Sequence, residues 1–245
     1  MKIGIIDADL IGRSKHRFPN LCCMKISGFH KLIGDEVVLK TDYDQLNQFD
    51  KVYISKVFSD TLVPDRVLQY PNVTYGGTGF FYDKAEPLPF EIEHCTPDYN
   101  LYNTWVQNNI STDKKEFQYY TDYSIGFTTR GCFRQCSFCV NRKYTRVERH
   151  SPVDEFVDNN KKYICLLDDN VLGFPQWEEI FNQLNNTNKR FQFKQGMDMR
   201  LMTEHKAEVI SNSKYIGDFI FAFDHIKDKE LIAKKLKIWR KYNQK

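Results

Sequence analysis

No apolar run in this 245-residue sequence approaches the roughly 18 to 20 residues needed to cross a bilayer. No stretch repeats at solenoid spacing and no tract is of low complexity. The amino-terminal MKIGIIDADLIGR has only a short apolar run broken by acids, with no small-residue cleavage site, so it reads as a first strand rather than a signal peptide. Together these absences predict a cytoplasmic protein without membrane contact. Seven cysteines cannot all pair. A fully disulfide-bonded framework is therefore excluded, and ligand, nucleophile and core roles remain for thiols in a reducing compartment.

Neither sign of charge is in large excess. The net charge is only +3, but it divides into −3 over residues 1–120 and +6 over residues 121–245. Within the basic half, Arg142, Lys143, Arg146 and Arg149 form either a solvated face or a surface for a phosphorylated or nucleic-acid substrate.

The apolar segments alternate between strand-like and helix-like. Residues 2–8, 36–40, 51–55 and 72–75 are β-branched runs, and a helix is expected from Pro19 to Ile33, ended by Gly34. This alternation predicts an α/β fold whose amino-terminal part is a doubly wound parallel sheet over residues 1–110. Its ligand-facing groups would lie beyond the strand ends, at Asp7, Asp9, Ser55, Lys56 and the glycines 76, 77 and 79. Those glycines make either a turn or a close backbone approach to a ligand. Residues 85–109 are rich in proline, acids and aromatics without periodicity and suit a long surface segment, with 111–122 as the linker proper. A second series occupies residues 123–245. Its strands are expected at 123–128, 163–168, 191–195 and 219–224, and its helices at 153–160, 175–186, 203–211 and 228–242. Four βα units fit into this part, a partial barrel. The last helix carries an apolar stripe of Ile232, Leu236 and Trp239.

Three of the cysteines, Cys132, Cys136 and Cys139, fall in the stretch TTRGCFRQCSFC that leaves the first strand of the second series. Their CxxxCxxC spacing is compatible with the core stripe of a helix, although Gly131, Arg130 and Arg134 suit a loop better. A structural zinc would need a fourth ligand from Cys165, His150 or Cys95, none of which stands in a matching knuckle. An iron-sulfur cubane held by three thiolates leaves one iron open for a reacting ligand.

With Phe138 just before the last cysteine, this loop resembles the cluster loop of the radical S-adenosylmethionine superfamily. The resemblance implies a 4Fe-4S cluster on Cys132, Cys136 and Cys139, S-adenosylmethionine on its open iron, and an electron donor such as flavodoxin or ferredoxin. It further implies that Asp168 or Asp169, where the superfamily often has Gly-Gly-Glu, meets the methionine amino group. Arg200 would meet its carboxylate, with Asp198 as the alternative ion-pair partner, and Asp224 would lie near the ribose. The front part resembles the cobalamin-binding-type domain of several branches of the superfamily. Asp7-Ala8-Asp9-Leu10-Ile11-Gly12 stands where that domain has Asp-x-His-x-x-Gly, and Gly76-Gly77 where it has paired glycines. The cobalt-ligating histidine is Asp9 here, and a carboxylate is not an equivalent donor. Cobalamin is therefore the weakest of the cofactor expectations. The superfamily barrel has six units against the four visible here, so a completing chain is a further expectation. The competing readings are a non-catalytic iron-sulfur or zinc binding module, and half of a split enzyme that needs its partner.

Overall fold

A computed structural model describes residues 1–110 and 114–243. It divides into two units, Met1–Tyr123 and Ser124–Lys245.

The front unit is built on β1 (Lys2–Asp7), which is followed by α1 (Ala8–Gly12) and α2 (Leu21–Leu32). Next come β2 (Glu36–Lys40), β3 (Lys51–Ser55), α3 (Asp65–Leu68), β4 (Val73–Gly76) and α4 (Thr78–Phe81). The four strands pair in the order β2-β1-β3-β4, and each neighbouring pair is parallel. Alternation along β1 sends Ile3 and Ile5 into one core with Met24 and Ile26 of α2, and Ile6 into another with Phe49, Val52 and Val67. Burial on both faces is what a parallel strand with covered sides requires. Helix α2 starts where Asn20 accepts from the Cys23 amide, and Gly34, at φ +87°, lies two residues beyond its last turn.

Residues 85–109 differ from the surface segment expected. They form α5 (Phe90–Glu93) and α6 (Asn103–Asn109), and they bury Ile92, Tyr99, Leu101, Tyr102 and Val106 in the core that holds Ile3 and Ile5. Two short helices and the turns between them place these side chains, so no period shows in the sequence. In the linker expected over 111–122, residues 111–113 lie outside the described residues. Its remainder includes α7 (Gln118–Thr121), which with the turn before it brings Phe117 and Tyr120 into the same core.

The second unit opens within β5 (Tyr123–Gly126) and continues through the short hairpin of β6 (Thr129–Arg130) and β7 (Glu148–Arg149). There follow α8 (Val153–Phe156), β8 (Tyr163–Leu166), α9 (Trp177–Asn186), β9 (Arg190–Phe193), α10 (Glu204–Ser211) and α11 (Lys229–Tyr242). The sheet order is β5-β8-β9, with β8 and β9 parallel. The fourth strand expected at 219–224 is reduced to a single parallel bridge, Met197 to Phe221, alongside another from Phe191 to Tyr215. Because β9 ends at Phe193, residues 219–224 have a bend rather than a strand to pair with. Ile232 and Trp239 of α11 are buried as the stripe predicts, with Leu236 packed against the same core. Among the described residues, no helix is long and apolar enough to cross a membrane.

Candidate functional site

A cavity of about 410 Å³ in the second unit is lined by all three clustered cysteines together with Phe138, Asp169, Asn170, Asp198, Arg200 and Asp224. It lies just beyond the ends of β8 and β9, the position at which parallel sheets present reactive groups. The cysteine loop leaves β6 and returns through β7, and the pairing Thr129–Arg149 and Arg130–Glu148 closes it at the base. The tight start depends on Gly131. Its φ is +92°, and an added Cβ would stand 2.4 Å from the Arg146 carbonyl oxygen. Gln135, between the first two cysteines, also sits in the left-handed region at φ 49°, a mildly strained conformation for a side-chain-bearing residue.

Cys132, Cys136 and Cys139 are each half-buried. The Cys132 sulfur accepts from the Arg134 amide and from Asn170 Nδ2, both at 3.4 Å, and the Cys139 sulfur from the Asn141 amide at 3.4 Å. Burial pushes the Cys136 thiol up, with Asp224 adding to the effect. Among the described residues, no group of three or more His, Cys, Asp or Glu is arranged to hold a single metal ion. A zinc ion draws its sulfurs to one point about 2.3 Å away, whereas a cubane gives each thiolate its own iron and so asks for thiols spread around one cavity. Three thiols on one cavity are the donor set that a cubane would take. Cys165, by contrast, is buried in β8, where burial holds its thiol up to about 12.

The Asp168-Asp169-Asn170 turn separates three roles. Asp168 is buried and accepts from the Thr128 and Thr129 amides at 3.1 and 2.6 Å and from their hydroxyls at 2.5 and 2.7 Å. Burial raises its pKa and those four bonds oppose the rise. Its carboxylate is thus committed to the backbone that enters the cysteine loop. Asp169 lines the cavity and ties the start of that loop to its middle, accepting from the Gly131 amide at 2.7 Å and from Asn141 Nδ2 at 2.6 Å. Asn170 is 3% exposed, and its Oδ1 is buried without a partner among the described residues. A buried acceptor left unpaired is costly, and an ammonium entering the cavity would satisfy it. The sequence pattern Asp-Asp-Asn does not tell which of its three side chains turns inward.

Arg200 gives Nε to Asp198 Oδ1 at 2.7 Å, Nη2 to Asp198 Oδ2 at 3.2 Å and Nη1 to Asp228 at 2.9 Å. The Asp198 bonds raise the Arg200 pKa further. Burial would lift Asp198, but the hydrogen bonds from Arg200 and Arg134 hold it below the usual carboxylate range. Asp224 lines the same cavity and is exposed. In the basic stretch after the cluster, Arg146 pairs with Glu148 and Arg149 with Gln183.

In the front unit, Asp7, Asp9, Ser55 and Lys56, expected beyond the strand ends, are buried and make internal contacts. Asp9 accepts from the Val57 amide at 2.7 Å, the Phe58 amide at 3.4 Å and the Thr61 hydroxyl at 2.5 Å. Gly77, at φ +106°, lies against the backbone of Lys56, whose carbonyl oxygen would be 2.3 Å from an added Cβ. Asp7 caps α1 and receives the Tyr102 hydroxyl at 2.8 Å, while Asn20 donates to Ser55 at 3.0 Å. Asp9, at the position of the cobalt-ligating histidine, is used up internally and does not fit cobalt ligation.

No protein-family model matches the chain. Among solved structures, the radical S-adenosylmethionine methyltransferase TsrM from Kitasatospora setae, with tryptophan substrate and a SAM analog bound, aligns over 98% of this chain at a TM-score of 0.57 and 12% identity. The chain spans 66% of that protein's length. The cobalamin-dependent S-adenosylmethionine radical enzyme OxsB aligns less well. Its form with aqua-cobalamin and S-adenosylmethionine gives a TM-score of 0.49 at 12% identity, over 85% of this chain and 41% of that one. Its form with aqua-cobalamin alone gives 0.47 at 13% identity, over 98% and 42%. Over nearly its whole length the chain therefore shares the fold of TsrM.

Proposed function

We propose that the protein is a radical S-adenosylmethionine enzyme in which Cys132, Cys136 and Cys139 hold a 4Fe-4S cluster. The observation that carries this reading is the convergence of these three thiols, with no fourth cysteine, on one cavity at the strand ends of this fold. When bound, the cluster supplies the electron that splits the sulfonium of S-adenosylmethionine, and the released 5′-deoxyadenosyl radical abstracts hydrogen from a substrate. The chain's own residues prepare for this. The amides of Arg134 and Asn141 and the side chain of Asn170 donate to two of the sulfurs and hold them in place at the cavity. Asp169 ties the two sides of the cysteine stretch together, at Gly131 and Asn141. Asn170 Oδ1 is the acceptor for the methionine ammonium, and Asp224 stands on the cavity wall for the nucleoside. Reduction comes from an external donor such as flavodoxin or ferredoxin. The reading includes no cobalamin step.

The test is anaerobic reconstitution with iron and sulfide, then addition of a reductant and S-adenosylmethionine, with 5′-deoxyadenosine as the measured product. Release of 5′-deoxyadenosine is expected from the wild type and not from Cys136→Ala. A fully loaded protein that releases none refutes the catalytic reading and favours a binding module or a half-enzyme.

A further inference from the structure

The cavity wall carries two guanidinium groups, Arg134 and Arg200. Their hydrogen bonds make them unlike each other. Arg200 has placed all three of its nitrogens on Asp198 and Asp228, and both its charge and its fork are spent within the protein. Arg134 gives only Nε, to Asp198 Oδ2 at 2.7 Å. Among the described residues its Nη1 and Nη2 make no hydrogen bond, and the guanidinium lies over the Phe133 ring with its centre 4.9 Å from the centroid. A guanidinium anchored through Nε on one carboxylate still presents two terminal donors to a second, the arrangement suited to a bidentate pair.

We infer that Arg134, and not Arg200, receives the carboxylate of S-adenosylmethionine, and that Asp198 is the positioning residue that aims its fork. This rests on the reading of the cavity given under Proposed function. Asp198 is 5% exposed and bridges the two arginines, so it ties the fork of Arg134 to the turn that follows β9. The amide of Arg134 meanwhile donates to the Cys132 sulfur. One residue thus touches a cluster thiol through its backbone and the ligand through its side chain. The position of the carboxylate is thereby set relative to the cluster. Sequence reading favours Arg200 because it follows a strand end. It has no means of showing that Asp228, 28 positions further on, already occupies that guanidinium.

The experiment measures binding of S-adenosylmethionine and of its decarboxylated form, which keeps the sulfonium and the amine, to the reconstituted protein by anaerobic equilibrium dialysis. The wild type is expected to prefer the carboxylate-bearing nucleoside. Arg134→Gln should shrink that preference by about 10- to 100-fold, the ordinary worth of a charge-assisted pair. Arg200→Gln should weaken both nucleosides alike and leave the ratio in place. Any contribution of the iron to the preference is common to all variants, so the change in ratio reports Arg134 alone. Arg134→Lys keeps the charge without the fork and should fall between. It also serves as the test if Arg134→Gln does not load iron. A wild-type ratio in either Arg134 variant overturns the inference, as does loss of the ratio in Arg200→Gln alone. Failure of the loaded wild type to bind either nucleoside instead overturns the underlying reading of the cavity.

Discussion

Asp7 is a carboxyl group at the end of β1, 0% exposed, and acidification should stabilise the unit that contains it. Burial raises its pKa from 3.8 to about 6, against the Tyr102 hydrogen bond and with a further push from Asp9. A carboxyl that binds its proton more tightly when folded contributes stability below its unfolded pKa, and that stability is lost as pH rises through the folded one. With values of 3.8 and about 6, linkage gives about 2 kcal/mol more stability at about pH 4.5 than at about pH 7.5 from this group, tending to about 3 kcal/mol at lower pH. Asp7→Asn removes the titration but keeps an acceptor for the Asp9 and Leu10 amides, because asparagine caps a helix about as well as aspartate. The assay is urea unfolding of both proteins across this range. With Trp177 and Trp239 replaced by Phe, Trp105 is the reporter for the front unit. The stability of the wild type relative to Asp7→Asn should rise by about 2 kcal/mol on acidification. A difference that stays flat, or that grows toward alkaline pH, refutes the argument.

Gly131→Ala places a Cβ 2.4 Å from the Arg146 carbonyl oxygen at a φ of +92°; iron uptake should be lost while far-UV circular dichroism stays near that of the wild type. Cys165→Ala should leave iron loading unchanged and lower only thermal stability, because this thiol is a core residue of β8; a loss of iron would make it a ligand. Asp9→His should bring no cobalamin binding, read as a shift in the corrinoid absorption spectrum. It should destabilise the front unit by about 1–3 kcal/mol for each amide left unpaired, since Val57 and Phe58 both donate to Asp9. A histidine variant that binds cobalamin at no cost in stability would contradict the assignment of Asp9 as an internal clamp.

Much of the fold was legible because burial imposes pattern. Continuous apolar runs mark β1 and β3, and the stripe of Ile232, Leu236 and Trp239 marks α11. The cysteine loop was legible because its chemistry requires a fixed spacing. What escaped was set by tertiary partners. The segment at 219–224 has strand-like composition, yet its pairing depends on Met197, and β9 stops short of it. Tyr102 enters the core from a stretch without period because its hydroxyl is drawn to Asp7, 95 positions away. Asp168 and Asp169 are adjacent and chemically identical. The structure turns one to the Thr128 and Thr129 backbone and the other to the cavity. Arg134 lay within the motif but read only as a loop charge, and its unused fork became visible only against the saturated one of Arg200.

The most direct test of the central claim is the iron and sulfide content of anaerobically reconstituted protein, taken with its low-temperature electron paramagnetic resonance spectrum after reduction. One 4Fe-4S cluster per chain is expected, absent when Cys132, Cys136 and Cys139 are all replaced by alanine, with a signal that shifts when S-adenosylmethionine is added. Unchanged iron loading in the triple variant, or a reduced cluster whose spectrum ignores S-adenosylmethionine, would contradict three thiols holding a cluster with one iron open.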